Sequence, residues 1–153
     1  MINLSIYNVK LVKEKGALYE LENKKIGSPE DSYNMLKEVF NPGELAEEVL
    51  LMICLNTKNH VTGLFEVARG TLNASLVHPR EVFKRAILNN ASSIIIAHNH
   101  PSGDLKPSRE DIELTRKLMD AGRILGISLL DHIIIGDDDY YSLMSNEFLK
   151  EER

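Results

Sequence analysis

Apolar positions along this chain recur with two periods, and their alternation outlines the elements. Val49 to Leu55 is apolar throughout, the pattern of a central strand covered on both faces. Ser93 to Ala97 repeats it, as does Ile127 to Ile135, which is interrupted by Asp131-His132 and closed by Gly136-Asp137-Asp138-Asp139. His60 to Arg69, with Val61, Leu64, Phe65 and Val67, follows the polar turn Asn56-Thr57-Lys58-Asn59 and is expected to pair with Val49–Leu55 as a hairpin. Between the strands the apolar spacing changes to three and four. Ser28-Pro29-Glu30-Asp31 opens a helix carrying Tyr33, Leu36, Val39 and Phe40, and Asn41-Pro42-Gly43 stops it. A second helix starts at Pro79 and Glu81 with Val82, Phe83, Ala86 and Ile87 on one side; a third runs from Ser108 to near Gly126. Tyr140 to Leu149 reads as a short strand or helical tail. Ile2 to Lys25 alternates loosely about Gly16, which predicts a charge-rich hairpin extension over residues 1–27 ahead of a domain over 28–150. Strands alternating with helices give an α/β or α+β sandwich about one central sheet.

Composition narrows the chemistry. With 43% apolar and 27% charged residues, a chain of 153 can bury roughly 70% of the surface its unfolded form exposes, so it needs no disulfides. Cys54 is the only cysteine, which excludes an intrachain bridge, a four-cysteine zinc knot and an iron–sulfur cluster. Any metal must therefore be held by His, Asp or Glu. A net charge of -5 and a pI of about 5.5 do not suit a general binder of phosphate backbones, though a local basic patch is left open. No apolar run approaches the roughly 20 residues that a bilayer requires, and the N-terminus lacks a charged region leading into an apolar one. The expectation is a cytoplasmic protein with no membrane partner.

The informative stretch is His98-Asn99-His100-Pro101-Ser102-Gly103, followed by Ser108 and Asp111. Strand side chains repeat with period two, so His98 and His100 share a face while Asn99 points away. Pro101 and Gly103 end the strand at once, which sets both imidazoles at the sheet's edge, where α/β sheets place ligands. Asp111 falls in the first turn of the next helix, and the loop between is long enough to fold that turn back over the strand end. Two imidazoles and a carboxylate give zinc three ligands and leave a fourth corner for water, as in catalytic sites. A buried histidine taken alone is more often hydrogen-bonded structure, and Ser108 with Asp111 also makes a plain helix start. The two readings are compatible, since capping holds the Ser108 hydroxyl still where it can donate to an oxyanion.

Water activated by a metal needs a base, and Glu44, Glu47, Glu48, Glu66 and Glu81 are the available glutamates. Glu48 directly precedes the buried strand, so partial desolvation would raise its pKa; Glu44 and Glu47 read as solvated charges. Asp131 and His132 are expected either as a buried prop that fixes a ligand's ring or as a border of the substrate groove.

With a glutamate upstream, the His98-x-His100, Ser108 and Asp111 pattern resembles the JAMM motif of the JAB/MPN metalloprotease superfamily. Leu55-Asn56-Thr57-Lys58-Asn59, Gly70-Thr71-Leu72-Asn73, His78-Pro79-Arg80-Glu81, His98 to Gly103 and Leu130 to Gly136 are similar to its bacterial RadC-type branch. The resemblance implies a three-layer α-β-α MPN domain, cytidine-deaminase-like, with a mixed central sheet. It implies His98, His100 and Asp111 as zinc ligands, Glu48 as general base and Ser108 as the residue that polarises the scissile carbonyl. The reaction it implies is hydrolysis of peptide or isopeptide bonds in a protein or peptide substrate. Two rivals stand beside it: a DNA-repair-associated accessory factor or metal-dependent nuclease, drawing on Lys84, Arg85, Lys106 and Arg109, and a metal-free MPN scaffold.

Overall fold

A computed structural model of the chain describes residues 4–16, 24–70 and 77–146. In chain order the elements are α1 (Pro29–Phe40), a 3₁₀ turn (Pro42–Glu44), β1 (Val49–Leu55), β2 (Val61–Arg69), α2 (Pro79–Leu88), β3 (Ser93–Asn99), α3 (Arg109–Leu125), β4 (Ser128–Ile135) and β5 (Tyr140–Ser142). The five strands form one sheet in the order β2-β1-β3-β4-β5. Pairing is antiparallel except between β3 and β4, which run parallel and are joined through α3.

Both faces of the sheet are covered, which is why β1 and the Ile94–Ala97 stretch of β3 read as unbroken apolar runs. On one face Leu50, Met52, Ile94 and Ile96 pack with Val82, Phe83 and Ala86 of α2 and Leu114 and Leu118 of α3. On the other, Leu51, Ile53, Ile95, Ala97, Ile133 and Ile135 meet Tyr33, Met35 and Leu36 of α1. The result is the three-layer α-β-α arrangement with a mixed sheet that the sequence implied. Two helix starts are built as read: Ser28 and Ser108 each cap their helix, in a reciprocal box with Asp31 and Asp111.

Three features differ from the expectation. β3 extends through Asn99, two residues beyond the apolar run, so His98 lies within the strand. Residues 4–16 carry no strand, and the second arm of the hairpin expected about Gly16, with Leu18, Tyr19 and Leu21, lies outside the described residues, as do Thr71, Leu72 and Asn73. The β3–β4 ladder carries an irregularity: Ile94 pairs with Leu129, but Ile95 pairs with Asp131. The extra residue, Leu130, reverses the facing of everything after it. Asp131 therefore points to the α1 layer and His132 to the α2–α3 layer. Among the described residues, no helix is long and apolar enough to cross a membrane.

Candidate metal centre

His98 and His100 leave the end of β3 on the face covered by α2 and α3, and the first turn of α3 lies against them. His98 Nε2 stands 3.1 Å from Asp111 Oδ1, His100 Nε2 stands 3.3 Å from Asp111 Oδ2, and the two Nε2 atoms are 2.9 Å apart. One donor atom from each of the three residues falls within 4.8 Å of the others. Among the described residues no fourth His, Cys, Asp or Glu joins this group. Asp111 is 8% exposed and His98 3%.

Each donor is held from behind. His100 Nδ1 donates to the Asp104 carbonyl at 2.5 Å, inside the turn that Gly103, at φ 78°, completes. That bond fixes one proton on His100 Nδ1, so Nε2 is the atom turned toward the group, bound to Asp111 through a second proton in the metal-free chain and free to ligate once that proton leaves. His98 Nδ1 is engaged by His132 Nε2 at 2.7 Å, so its Nε2 is also the atom turned inward. The Asp111 carboxylate accepts from the Ser108 backbone N–H at 2.7 Å, and the Ser108 hydroxyl accepts from the Asp111 N–H at 3.1 Å.

Electrostatics agree with the geometry. Burial acts to raise the Asp111 carboxyl, but the facing His100 and His98 imidazoles and the Ser108 backbone N–H outweigh it and hold it well below the usual carboxylate range. The bond to Asp111 raises His100 against its own burial, with the Asp104 carbonyl and the charges of Asp111 and Glu48 adding to the effect. Burial, with the neighbouring His98, pushes His132 well below its ordinary value. Two imidazole Nε2 atoms and an ionised carboxylate converging in this way call for positive charge among them, which a second His100 proton supplies in the metal-free chain and a metal ion can replace. The donor set is imidazole and carboxylate, which suits a divalent transition ion. The three residues therefore fit a metal ion, as the motif implied.

Glu48 is half-buried at the foot of β1. Leu50 pairs with His98, so extending that antiparallel register by two residues sets Glu48 across from His100. Glu44 and Glu47 are exposed, Glu66 pairs with Arg69 on β2, and Glu81 pairs with Lys84 and Arg85 on α2. Ser108 keeps its hydroxyl proton available, because the capping bond uses only its oxygen.

The pair Asp131-His132 is split. His132 props the His98 ring, whereas Asp131 faces away and accepts from Ser142 Oγ at 2.6 Å and from the His132 and Met144 N–H groups at 2.7 and 3.2 Å. Two contributors went unseen in the sequence. The Asp104 carbonyl is a main-chain group and leaves no residue-type signal. Thr115, which bonds His132 Nδ1 at 2.6 Å, did leave one: a polar side chain four residues after Asp111 on an apolar helix face. The remaining histidines are structural, with His78 capping α2 and His60 bridging to Lys25. Cys54 is fully buried, and desolvation pushes its thiol up to about 12, so it is inert.

Relatives carry the same domain. A UPF0758 protein of Clostridium beijerinckii is 55% identical over 78% of this chain and 51% of its own length. UPF0758 proteins of Alkaliphilus oremlandii and Methanosarcina mazei are each 46% identical over 92% of this chain and 60% of their own length. The chain thus spans half to three-fifths of these relatives. Residues 26–148, which hold every described strand and helix and all three metal-ligand candidates, match the RadC-like JAB domain, and the chain belongs to that family.

Proposed function

We propose that the domain is a zinc-dependent hydrolase of peptide or isopeptide bonds. The observation that carries this reading is the convergence of His98 Nε2, His100 Nε2 and the Asp111 carboxylate, each fixed from behind, with no fourth protein donor among the described residues. Three protein ligands are the count of a catalytic zinc site, whereas structural sites use four. When bound, zinc supplies Lewis-acid polarisation and a water acidified toward a pKa of about 7.

The chain's own groups supply the rest. Glu48, half-buried and opposite His100, takes a proton from the attacking water and returns it to the departing amine. The Ser108 hydroxyl, held by its cap bond to the Asp111 N–H, donates to the scissile carbonyl oxygen as charge develops there. Asp111 stays ionised because the Ser108 backbone and both histidines face it.

Charge supports a protein or peptide substrate over nucleic acid. Of four cations that a basic groove would draw on, Lys84 and Arg85 pair with Glu81 and Arg109 pairs with Glu113. The test combines metal content with cleavage. Purified protein should carry one zinc per chain and cut members of a mixed peptide and isopeptide library, read by mass spectrometry. His98→Ala and Asp111→Ala should lose the metal with the fold kept. Unchanged zinc in both variants would remove these ligands, and a fully loaded protein that cuts nothing, while losing DNA affinity steeply with salt, would favour the nucleic-acid rival.

A further inference from the structure

The ligands come from β3 and α3, and a buried chain of hydrogen bonds joins them behind the site. His98 Nδ1 meets His132 Nε2 at 2.7 Å, His132 Nδ1 meets Thr115 Oγ1 at 2.6 Å, and Thr115 Oγ1 lies 2.6 Å from the Asp111 carbonyl oxygen. Thr115 and His132 are wholly buried. The direction of every bond is set at the far end. A carbonyl oxygen only accepts, so the Thr115 proton goes to Asp111, and the Thr115 oxygen accepts from His132 Nδ1–H. A neutral His132 then has a bare Nε2, which accepts from His98 Nδ1–H. His98 is left with a bare Nε2 turned toward His100 and Asp111.

The opposite arrangement fails on contact. It would place the His98 proton on Nε2, facing Asp111 Oδ1, and turn the Thr115 hydroxyl toward His132. Two oxygens would then sit 2.6 Å apart with no hydrogen between them. A second proton on His132 would put an uncompensated charge in a fully buried ring.

We infer that His132 and Thr115 are positioning residues: the relay from the Asp111 main chain locks His98 in the tautomer that presents its Nε2 lone pair to a metal, before any metal arrives. The lock depends on the irregularity at Leu130, which turns His132 rather than Asp131 toward His98. It also depends on Thr115 lying one helical turn beyond Asp111, where its hydroxyl can bond back to the main chain. The inference rests on reading His98, His100 and Asp111 as a metal centre, and is independent of which reaction that centre runs.

The test uses metal-free, histidine-labelled protein and long-range proton–nitrogen NMR, which distinguishes the two tautomers. Wild type should show His98 as Nδ1–H. In His132→Leu, His98 should switch to Nε2–H, and zinc affinity measured against a competing chelator should fall about 10–100-fold. His132→Gln, whose carbonyl can accept from His98 while its amide donates to Thr115, should restore the Nδ1–H form and most of the affinity. Should His132→Leu not fold, Thr115→Val, nearly isosteric, should lose the lock while Thr115→Ser keeps it. The inference is overturned if wild-type His98 carries Nε2–H, or if it keeps Nδ1–H and full zinc affinity in both His132→Leu and Thr115→Val. A wild-type chain with the Nδ1–H form that takes up no zinc would uphold the lock and sink the metal-centre reading instead.

Discussion

Asn99 Oδ1 accepts the backbone N–H of Val49 at 2.7 Å, and the same side chain, 1% exposed, donates from Nδ2 to the Glu47 carbonyl at 2.9 Å and the Leu45 carbonyl at 3.4 Å. Asn99 lies between the two histidines in sequence and on the opposite face of β3. It therefore ties the strand that carries His98 and His100 to the segment that carries Glu48, from both sides of that residue. Asn99→Ala would leave the buried Val49 N–H and a part-buried carbonyl without partners, at a cost of about 1–3 kcal/mol. Zinc should stay bound, because none of its ligands is touched, while turnover falls about 10–100-fold as Glu48 loses its fixed place. Denaturant unfolding and metal analysis check both halves; an alanine variant as stable as wild type would refute the clamp.

Glu48→Gln separates the base from the scaffold. The amide keeps the size of the side chain and removes its ability to take a proton. Metal content should be unchanged and turnover of a cleaved peptide should drop about 100-fold or more. Equal activity would move the role to Glu44 or Glu47.

What the sequence made legible follows from what is local. His98 and His100 share a face because strand periodicity is fixed at two, and Ser108 with Asp111 sits at a helix start because the capping box is a four-residue pattern. Their meeting required only a loop that closes. The roles of Asp131 and His132 were not legible, because a single extra residue, Leu130, in the β3–β4 pairing exchanges their faces, and no local propensity announces it. Thr115 escaped for a related reason: its partner arrives from β4, and its hydroxyl has meaning only once that strand is placed. Over residues 4–16 the alternation of apolar and polar positions suggested a strand, yet Ile6 and Tyr7 are almost wholly exposed and no partner strand lies beside them among the described residues.

Gly122 sets how closely α3 can approach the start of β4, the two elements that carry Thr115 and His132. A Cβ there would run into the Ile127 carbonyl and come within 3.3 Å of the Phe83 ring. Alanine gains about 1 kcal/mol of helix propensity over glycine, whereas forcing a methyl into packed backbone costs about 1–3 kcal/mol. Because the clash is with main chain rather than a flexible side chain, the second effect should win. Gly122→Ala is expected to lower Tm by a few degrees, and a rise in Tm would show that α3 can shift freely.

The two histidines with opposite shifts give the metal-free protein a stability maximum near neutral pH. His132 is held well below its ordinary value by burial, so below about pH 6.5 the unfolded chain binds a proton that the folded one refuses, and stability falls as pH falls. His100 is raised by its bond to Asp111, so its contribution is whole below about pH 6.5 and is lost as pH climbs through the folded value. Asp111, held low, adds to the acid side: its contribution is present above the ordinary Asp value of about 3.9 and is lost below it. The two histidine arms meet at the value both share when unfolded, so Tm of the metal-free chain should peak near pH 6.5. Zinc competes with the His100 proton, so the Tm gain on adding zinc should grow from pH 6 to pH 8 as that proton leaves. Thermal unfolding with and without zinc across this range checks the sign on each side. A zinc-induced gain that shrinks as pH rises would contradict the placement of His100 among the ligands.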